Sequence, residues 1–349
     1  MEFILEYGLF LVKSVTVVVS IVAVLIVIVG LGHKNKMHEK GHIEVKSVNA
    51  AVDSLTHSLK QVVLDPEAQK IEFKSEKKKA KEEQKSRKKE AKEGTTPRNR
   101  VFVIDFEGDV QASAVEGLRE EVSAILSVAT DLDEVVVKLE SPGGMVHSYG
   151  LAASQLLRIA AKNIQLTIAV DKVAASGGYM MACIGSKIIA APFALLGSIG
   201  VVAQIPNFHR LLKNKDIDVE VLTAGEYKRT LTMFGENTEK GREKFVAELE
   251  DVHSLFKEFV SENRPIVDTD KVATGEAWYG KRALEQQLVD ELMTSDEYII
   301  SKCEDNDVFQ VKYVEDTNRV DKLMDRFVTA WAQVTGPELL KKNQGPFTF

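Results

Sequence analysis

The chain has 349 residues, 44% of them hydrophobic and 28% charged, which fits one large globular domain with additional segments. Its net charge of −7, with the basic residues concentrated in one short run, excludes the basic folded face of a nucleic-acid-binding protein. The two cysteines, Cys183 and Cys303, exclude a disulfide-stapled scaffold and form no Cys-x-x-Cys metal motif.

The first predicted element is a membrane anchor within residues 1–40. Ser14–Gly32 is an uncharged stretch of 19 residues, long enough to span a bilayer at about 1.5 Å per residue. The alternative is a cleaved signal peptide, but the apolar run is long and no small-residue cleavage site follows it. We therefore expect a retained transmembrane helix with the lipid bilayer as its partner. More lysines follow the stretch than precede it, which favours a cytoplasmic C-terminal side.

Residues 41–98 are predicted to link the anchor to the main domain. Gly41–Asp65 has the apolar spacing of an amphipathic helix. Lys74–Glu93 contains ten basic residues against five glutamates, which indicates a solvated charged helix or a disordered spacer. A polybasic contact with a membrane surface is the functional alternative for this segment. Gly94–Pro97 ends it.

Residues 99–315 have the alternating pattern of an α/β domain with a mainly parallel sheet. The predicted strands are Val101–Phe106, Glu134–Leu139, Gln165–Val170 and Lys187–Ala191. The predicted helices are Val115–Ala129, Val146–Ala161, Arg242–Asn263 and Gly280–Leu292. Residues 316–349 are predicted to form a C-terminal helical tail.

One uncharged run inside this domain imitates a second membrane span. Ile188–Ile205 has 18 residues without a charge. Pro192, Gly197 and Gly200 interrupt it, so a strand followed by a turn fits better.

Ser176 is the predicted nucleophile. It follows the apolar strand Leu166–Val170 and precedes a predicted helix, Tyr179–Ile184, within Ala175-Ser176-Gly177-Gly178. A sharp strand-to-helix turn can expose a serine above a sheet. Taken alone, the pattern is more typical of a serine N-cap with glycines needed only for packing, and the interpretation as a nucleophile depends on the partner motifs.

A second glycine turn offers backbone donors for an oxyanion hole. Ser141-Pro142-Gly143-Gly144 follows a predicted strand, and glycine allows the backbone to approach a ligand closely. We expect an N–H of this loop, at Gly143, to act together with the Gly177 N–H. A plain Pro-Gly turn is the structural alternative.

Lys228, 52 residues after Ser176, is the predicted general base. A lysine accepts a proton only when burial keeps it neutral. It follows a strand-like run, Val219–Leu222, and its alternative is a surface lysine beside Arg229. Ser198, within Gly197-Ser198-Ile199-Gly200, is expected to orient the lysine or relay its proton, with a simple turn serine as its alternative.

Histidine and metal chemistry fit the sequence less well. The main domain has three histidines, and none has a clear carboxylate partner; they are His147, His209 and His253. The acidic residues and histidines show no metal-ligand spacing, and the chain has no phosphate loop. We therefore expect no cofactor.

These motifs together resemble the signal peptide peptidase A family of Ser–Lys peptidases. The resemblance covers about Val101 to Leu292 and is carried by five ordered stretches: Ser141-Pro-Gly-Gly, Ala175-Ser-Gly-Gly-Tyr, Gly197-Ser-Ile-Gly-Val, Gly225-Glu-Tyr-Lys and Ala283-Leu-Glu-Gln-Gln-Leu-Val-Asp. One departure is Arg229, where the family has a small or acidic residue after the lysine.

The resemblance implies a fold, a mechanism and a location. The fold is the ClpP/crotonase type, in a homo-oligomer whose catalytic residues meet across a subunit boundary. The nucleophile falls on Ser176, the base on Lys228, the oxyanion donors on Gly143 and Gly177, and the lysine-orienting serine on Ser198. Such enzymes cleave apolar peptides at the outer side of the bacterial plasma membrane, whereas the lysine bias favours the inner side.

The sequence therefore predicts a membrane-anchored serine endopeptidase acting on peptides or unfolded, apolar protein segments through an acyl-enzyme. Two other classes remain open. One is a non-catalytic membrane scaffold or adaptor on a degenerate peptidase fold. The other is a crotonase-like enzyme acting on acyl thioesters, which would use the oxyanion hole without Ser176 or Lys228.

Overall fold

The computed structural model describes residues 7–17, 20, 41–93 and 98–315. The chain divides into two compact units, one of residues 1–42 and 315–349 and the other of residues 43–314. In the first unit, residues 7–17 and 20 are helical. None of the helices within the described ranges combines the length and apolar character needed to cross a membrane. Most of the predicted anchor Ser14–Gly32, and the predicted tail 316–349, lie outside the described residues.

The second unit contains most of the described strands and helices. The strands are β1 Gly41–Ser47, β2 Arg100–Glu107, β3 Glu134–Glu140, β4 Gln165–Val170, β5 Val173–Ala175, β6 Lys187–Ala190, β7 Leu195–Gly197, β8 Ala277–Tyr279, β9 Glu291–Leu292 and β10 Asp307–Glu315. The helices are α1 Val48–Val63, α2 Pro66–Glu93, α3 Val115–Leu126, α4 Val146–Ala160, α5 Gly177–Ala182, α6 His209–Lys213, α7 Glu239–Asn263, α8 Thr269–Val272, α9 Gly280–Glu285 and α10 Ser295–Asp305.

A seven-stranded sheet forms the centre of this unit, in the order β1-β10-β2-β3-β4-β6-β9. Every pairing from β10 across to β9 is parallel. A smaller sheet, β5-β7-β8, has one parallel and one antiparallel pairing. The architecture is a mixed α/β fold with a mainly parallel sheet, as predicted, and it fits a ClpP-like peptidase fold.

Both faces of the large sheet are covered, which explains why its strands are apolar on both sides. On one face, Ile104, Val137 and Ile168 pack in the main core with α3, α4 and α5. On the other face, Val103 and Val136 pack with Tyr298 and Ile299 of α10. The parallel strands thereby bring their carboxyl ends, and the loops that follow them, to one edge of the sheet.

Two sequence predictions about element type were wrong. The segment Gly41–Asp65 is not one helix: β1 comes first, and the hydroxyl of Ser47 caps α1 by accepting from the Ala50 N–H. The predicted helix Gly280–Leu292 stops at Glu285 because Gln287 has a left-handed φ of 60° and the chain then enters β9.

A buried carboxylate fixes α10 to the sheet. Glu134, 6% exposed, accepts hydrogen bonds from the hydroxyls of Tyr298 and Thr167, each at 2.6 Å. Its other oxygen lies 2.7 Å from the ammonium of Lys302. The carboxylate is therefore compensated on both oxygens, as a buried charge requires.

Replacing Glu134 with alanine is expected to lower the free energy of unfolding by about 3–5 kcal/mol, because it leaves buried donors and a lysine without their acceptor. Chemical denaturation of the full chain measures the change. The matched control is Glu291→Ala, which removes an exposed partner of Lys187 and is expected to cost less than about 1 kcal/mol. Equal effects of the two variants would contradict the role of Glu134.

Candidate active site

Ser176 occupies a strained turn between β5 and α5. Its φ of 52° and ψ of −119° are unusual for a residue with a side chain, and such conformations cost about 1–3 kcal/mol. Its N–H donates to the Gly197 carbonyl at 2.8 Å. The half-buried serine therefore stands at the start of a helix, held by the neighbouring strand β7. The sequence placed it directly after Leu166–Val170, but β5 intervenes.

The glycine loop lies against this turn. Ser141, directly after β3, bridges to Ala174: its N–H donates to the Val173 carbonyl at 2.8 Å, and its own carbonyl accepts from the Ala175 N–H at 3.0 Å. Gly143 has a φ of +90°, and a Cβ on it would lie 2.7 Å from the Cβ of Ser176. Only glycine fits this position without displacing the serine.

The hydrogen bonds distinguish the N–H groups of the glycine loop. The N–H of Gly143 donates to the hydroxyl oxygen of Ser141 at 3.1 Å, so it is already engaged. Within the described part of the chain, the N–H groups of Gly144 and Gly177 have no protein acceptor. Both residues line the cavity beside Ser176. The loop's available donor is therefore at Gly144 rather than at Gly143.

This cavity is small and largely apolar. It measures about 80 Å³. Beyond Gly144, Ser176 and Gly177, its lining comes from α4, α5, α7 and the chain after β7: Val146, Met180, Gly200, Val201, Val202, Val252 and Phe256. The sequence analysis missed this lining, although the helical spacing of Val252 and Phe256 places both on one face of α7.

Ser198 lies next to the residue that holds the Ser176 backbone, whereas Lys228 lies outside the cavity beside Ser176. Ser198 directly follows Gly197, whose carbonyl holds the Ser176 N–H, and it has a left-handed φ of 50°. Lys228 is exposed, and its N–H donates to the Gly225 carbonyl at 3.2 Å. Its ammonium has no hydrogen bond or ion pair within the described residues, and Lys228 is not among those lining the cavity.

The segment before Lys228 is also not what the sequence predicted. Val219–Leu222 forms no strand and pairs with no sheet. Apolar side chains there are exposed, Val221 by 46% and Leu222 by 89%. An exposed apolar segment that pairs with no strand among the described residues is suited to contact another surface.

Other nucleophiles and bases lie elsewhere. Cys183 is buried behind α5, and burial raises the pKa of its thiol to about 12, which keeps it protonated and unreactive. The histidines His147, His209 and His253 are not among the residues that line the cavity. Of the residues that line the cavity, only Ser176 carries a hydroxyl, thiol or amine group.

Replacing Gly143 with alanine is expected to disrupt the geometry of the site, because the new methyl group would collide with Ser176. The alanine backbone would also have to adopt a left-handed φ, which costs about 1–3 kcal/mol. Peptide-cleavage rate and thermal unfolding measure the two effects. The matched control is Gly150→Ala, where a Cβ meets nothing within 4 Å and α4 gains about 0.5–1 kcal/mol of stability. A fully active Gly143→Ala variant would contradict this geometry.

Comparisons with known proteins agree with a peptidase site. Residues 2–156 match the model of the peptidase family S49 N-terminal domain, and residues 158–308 match that of peptidase family S49. The chain is 53% identical over 311 residues to "Probable protease SohB" of Haemophilus influenzae, covering 88% of each chain. It is 48% identical over 307 residues to the protein of the same name from Buchnera aphidicola, covering 86% of this chain and all of the relative. "Protease 4" of Haemophilus influenzae is 27% identical over 241 residues.

Proposed function

Because this chain belongs to peptidase family S49 and is a serine protease, we propose that it is a membrane-anchored endopeptidase using Ser176 as nucleophile and Lys228 as base. The observation that carries the proposal is the strained Ser176 turn beside two uncommitted backbone donors and an apolar cavity. Strained backbone of this kind is typical of active sites.

The proposed reaction proceeds through an acyl-enzyme. The Ser176 hydroxyl attacks the scissile carbonyl while a neutral Lys228 amine takes its proton and then gives it to the leaving amine. The N–H groups of Gly144 and Gly177 hold the oxyanion, each donor worth about 10²–10³ in rate. Water, deprotonated by the same lysine, then releases the acyl group. Ser198, adjacent to the strand that holds Ser176, orients the lysine.

We propose that a second copy of the chain supplies the lysine. Lys228 is exposed, lies six residues after the apolar segment Val219–Leu222, and does not line the cavity of its own chain. Docking of this segment on a neighbouring copy would cover its apolar side chains and bring the amine to Ser176. Burial at such an interface disfavours the charged form of an amine. It therefore favours the neutral amine, which is the form that a general base requires. A closed homo-oligomer is the expected assembly.

The membrane part of the proposal rests on the uncharged stretch Ser14–Gly32. We propose that it is a single transmembrane helix in the bacterial plasma membrane, with the peptidase domain on the outer side. The lysines after the stretch favour the opposite orientation. A reporter fused after Leu292 distinguishes the two: alkaline phosphatase, which is active only outside the cytoplasm, is expected to be active.

The substrate is expected to be an unfolded, apolar protein segment with a small residue before the scissile bond. The cavity beside Ser176 is small, about 80 Å³, and Met180 and Phe256 are among the residues that line it. Shortening Phe256 to alanine is expected to shift preference from alanine towards leucine at that substrate position, by about tenfold or more in kcat/KM.

Cleavage of a matched pair of peptides by the full-length protein measures this shift. The control is Leu255→Ala, a neighbour on α7 that is 57% exposed and does not line the cavity. An unchanged preference in Phe256→Ala would show that the cavity does not receive this side chain. Cleavage of a denatured, apolar-rich protein by the wild type tests the function itself.

A further inference from the structure

A buried chain of hydrogen bonds runs behind the glycine loop. The Gly143 N–H donates to the Ser141 Oγ at 3.1 Å, and this oxygen lies 2.5 Å from the Oη of Tyr149. The Tyr149 hydroxyl donates to the Asp109 carbonyl at 2.8 Å. Ser141 and Tyr149 are both fully buried. These hydrogen bonds therefore link the loop after β2, the loop after β3 and helix α4.

The groups at the two ends of this series, the Gly143 N–H and the Asp109 carbonyl, determine which atom donates in each hydrogen bond. A backbone N–H can only donate and a carbonyl can only accept. The proton of Tyr149 is committed to Asp109, so the proton of Ser141 must go to the Tyr149 oxygen. Removing the tyrosine hydroxyl would leave the Ser141 hydroxyl without its acceptor in a buried site, which is costly. Burial also raises the pKa of Tyr149, so its hydroxyl stays protonated.

Tyr149 also supports the other side of the site. A Cβ on Gly177 would overlap the ring of Tyr149, so the ring lies directly against the backbone that carries the Gly177 N–H. A Cβ on Gly108 would likewise overlap the Tyr149 hydroxyl and crowd Ser141. One side chain is thus in contact with the supports of both proposed oxyanion donors.

We propose that Tyr149 and Ser141 are positioning residues, which hold the backbone of Gly143 so that the Gly144 and Gly177 N–H groups converge on the oxyanion. The inference rests on the proposed function and adds to it. The two residues contact neither substrate nor the reacting atoms. They act through the backbone. The Gly143 N–H donates to Ser141, and this hydrogen bond holds the loop so that the N–H of Gly144 can face the cavity.

The test compares Tyr149→Phe with Tyr179→Phe in the full-length protein. Tyr179 is equally buried, and its hydroxyl donates to the Leu288 carbonyl at 3.0 Å, away from the loop. Each variant loses one buried hydroxyl and keeps its ring, so similar losses of stability are expected. Only Tyr149→Phe is expected to lower kcat, by about tenfold or more with KM nearly unchanged, because the donors are misplaced rather than removed.

A peptide aldehyde gives a second readout. Addition of the Ser176 hydroxyl to the aldehyde carbon converts its carbonyl oxygen into the group that occupies the oxyanion hole. Its inhibition constant is expected to rise in Tyr149→Phe in parallel with the loss in kcat/KM, and to stay near the wild-type value in Tyr179→Phe.

Wild-type kcat in Tyr149→Phe, or equal losses in the two variants, would overturn the positioning role while leaving the proposed function intact. A wild type that cleaves no faster than Ser176→Ala would overturn both proposals.

Discussion

Replacing Ser176 with alanine is expected to lower kcat for peptide cleavage by about 10⁴–10⁶-fold, because it removes the only attacking atom of the proposed acyl-enzyme mechanism. The fold is expected to persist, since the serine side chain supplies no hydrogen bond to the described structure and its backbone anchors remain. Initial rates with a fluorogenic apolar peptide, measured beside circular dichroism, separate activity from folding.

The matched control is Ser154→Ala. Ser154 lies exposed on α4, and its hydroxyl donates only to the carbonyl one turn earlier, at Gly150. This variant is expected to stay folded, since surface substitutions change stability by about 0.5 kcal/mol or less. Its rate is therefore expected to stay within about threefold of the wild-type rate. Comparable rates in Ser176→Ala and the wild type would mean that another residue attacks the substrate.

Replacing Lys228 with methionine is expected to lower kcat by a similar factor, because the proposed mechanism uses its neutral amine to remove the serine proton. A second result distinguishes where the lysine acts. If the lysine of one copy serves the serine of the next, subunits of inactive Ser176→Ala and inactive Lys228→Met should complement each other. Mixed oligomers assembled from equal amounts are expected to recover about a quarter of the wild-type activity.

Coexpression of the two variants with different tags, followed by purification on both tags, provides the mixed oligomer. The control is the same protein assembled from two Lys228→Met chains, which is expected to remain inactive. Full inactivity of the mixed oligomer, with each variant folded, would place serine and lysine in the same chain. An active Lys228→Met homo-oligomer would remove the lysine from the mechanism.

The sequence predicted four neighbouring strands of the large sheet, β2, β3, β4 and β6, because they are apolar runs, but it did not predict β1, β9 or β10. The strand Gln165–Val170 has its predicted bounds, and those at Val101, Glu134 and Lys187 differ by one or two residues. Buried parallel strands have continuous apolar runs that stand out from the helices between them. The prediction of a strand followed by a turn in Ile188–Ile205 is confirmed, since β6 ends at Ala190 and a turn leads to the short strand β7.

The smaller sheet could not be seen in the sequence. Its strands β5, β7 and β8 have three residues each, too few for an alternating pattern. Yet β5 and β7 position the Ser176 turn, since β5 leads directly into it and Gly197 of β7 accepts a hydrogen bond from the Ser176 N–H. The glycines around Ser176 therefore predicted a turn at this serine, but the strands that support the turn were not predicted.

The choice between Gly143 and Gly144 also depends on tertiary contacts. Both glycines follow a strand in the sequence, and nothing local distinguishes their N–H groups. The hydroxyl of Ser141 commits the first, and that hydroxyl is itself held by Tyr149, eight residues further along the chain. Hydrogen bonds of this kind are set by packing between elements, which a single sequence does not show.

Covalent labelling of the full-length protein with a fluorophosphonate, followed by mass spectrometry, tests whether Ser176 is the nucleophile and Lys228 its base. The probe reacts with a serine whose hydroxyl is activated, and its phosphoryl oxygen occupies the oxyanion hole. The proposed mechanism predicts a single adduct on Ser176, absent in Ser176→Ala and formed much more slowly in Lys228→Met. An adduct on another residue, or equal labelling of the wild type and Lys228→Met, would contradict it.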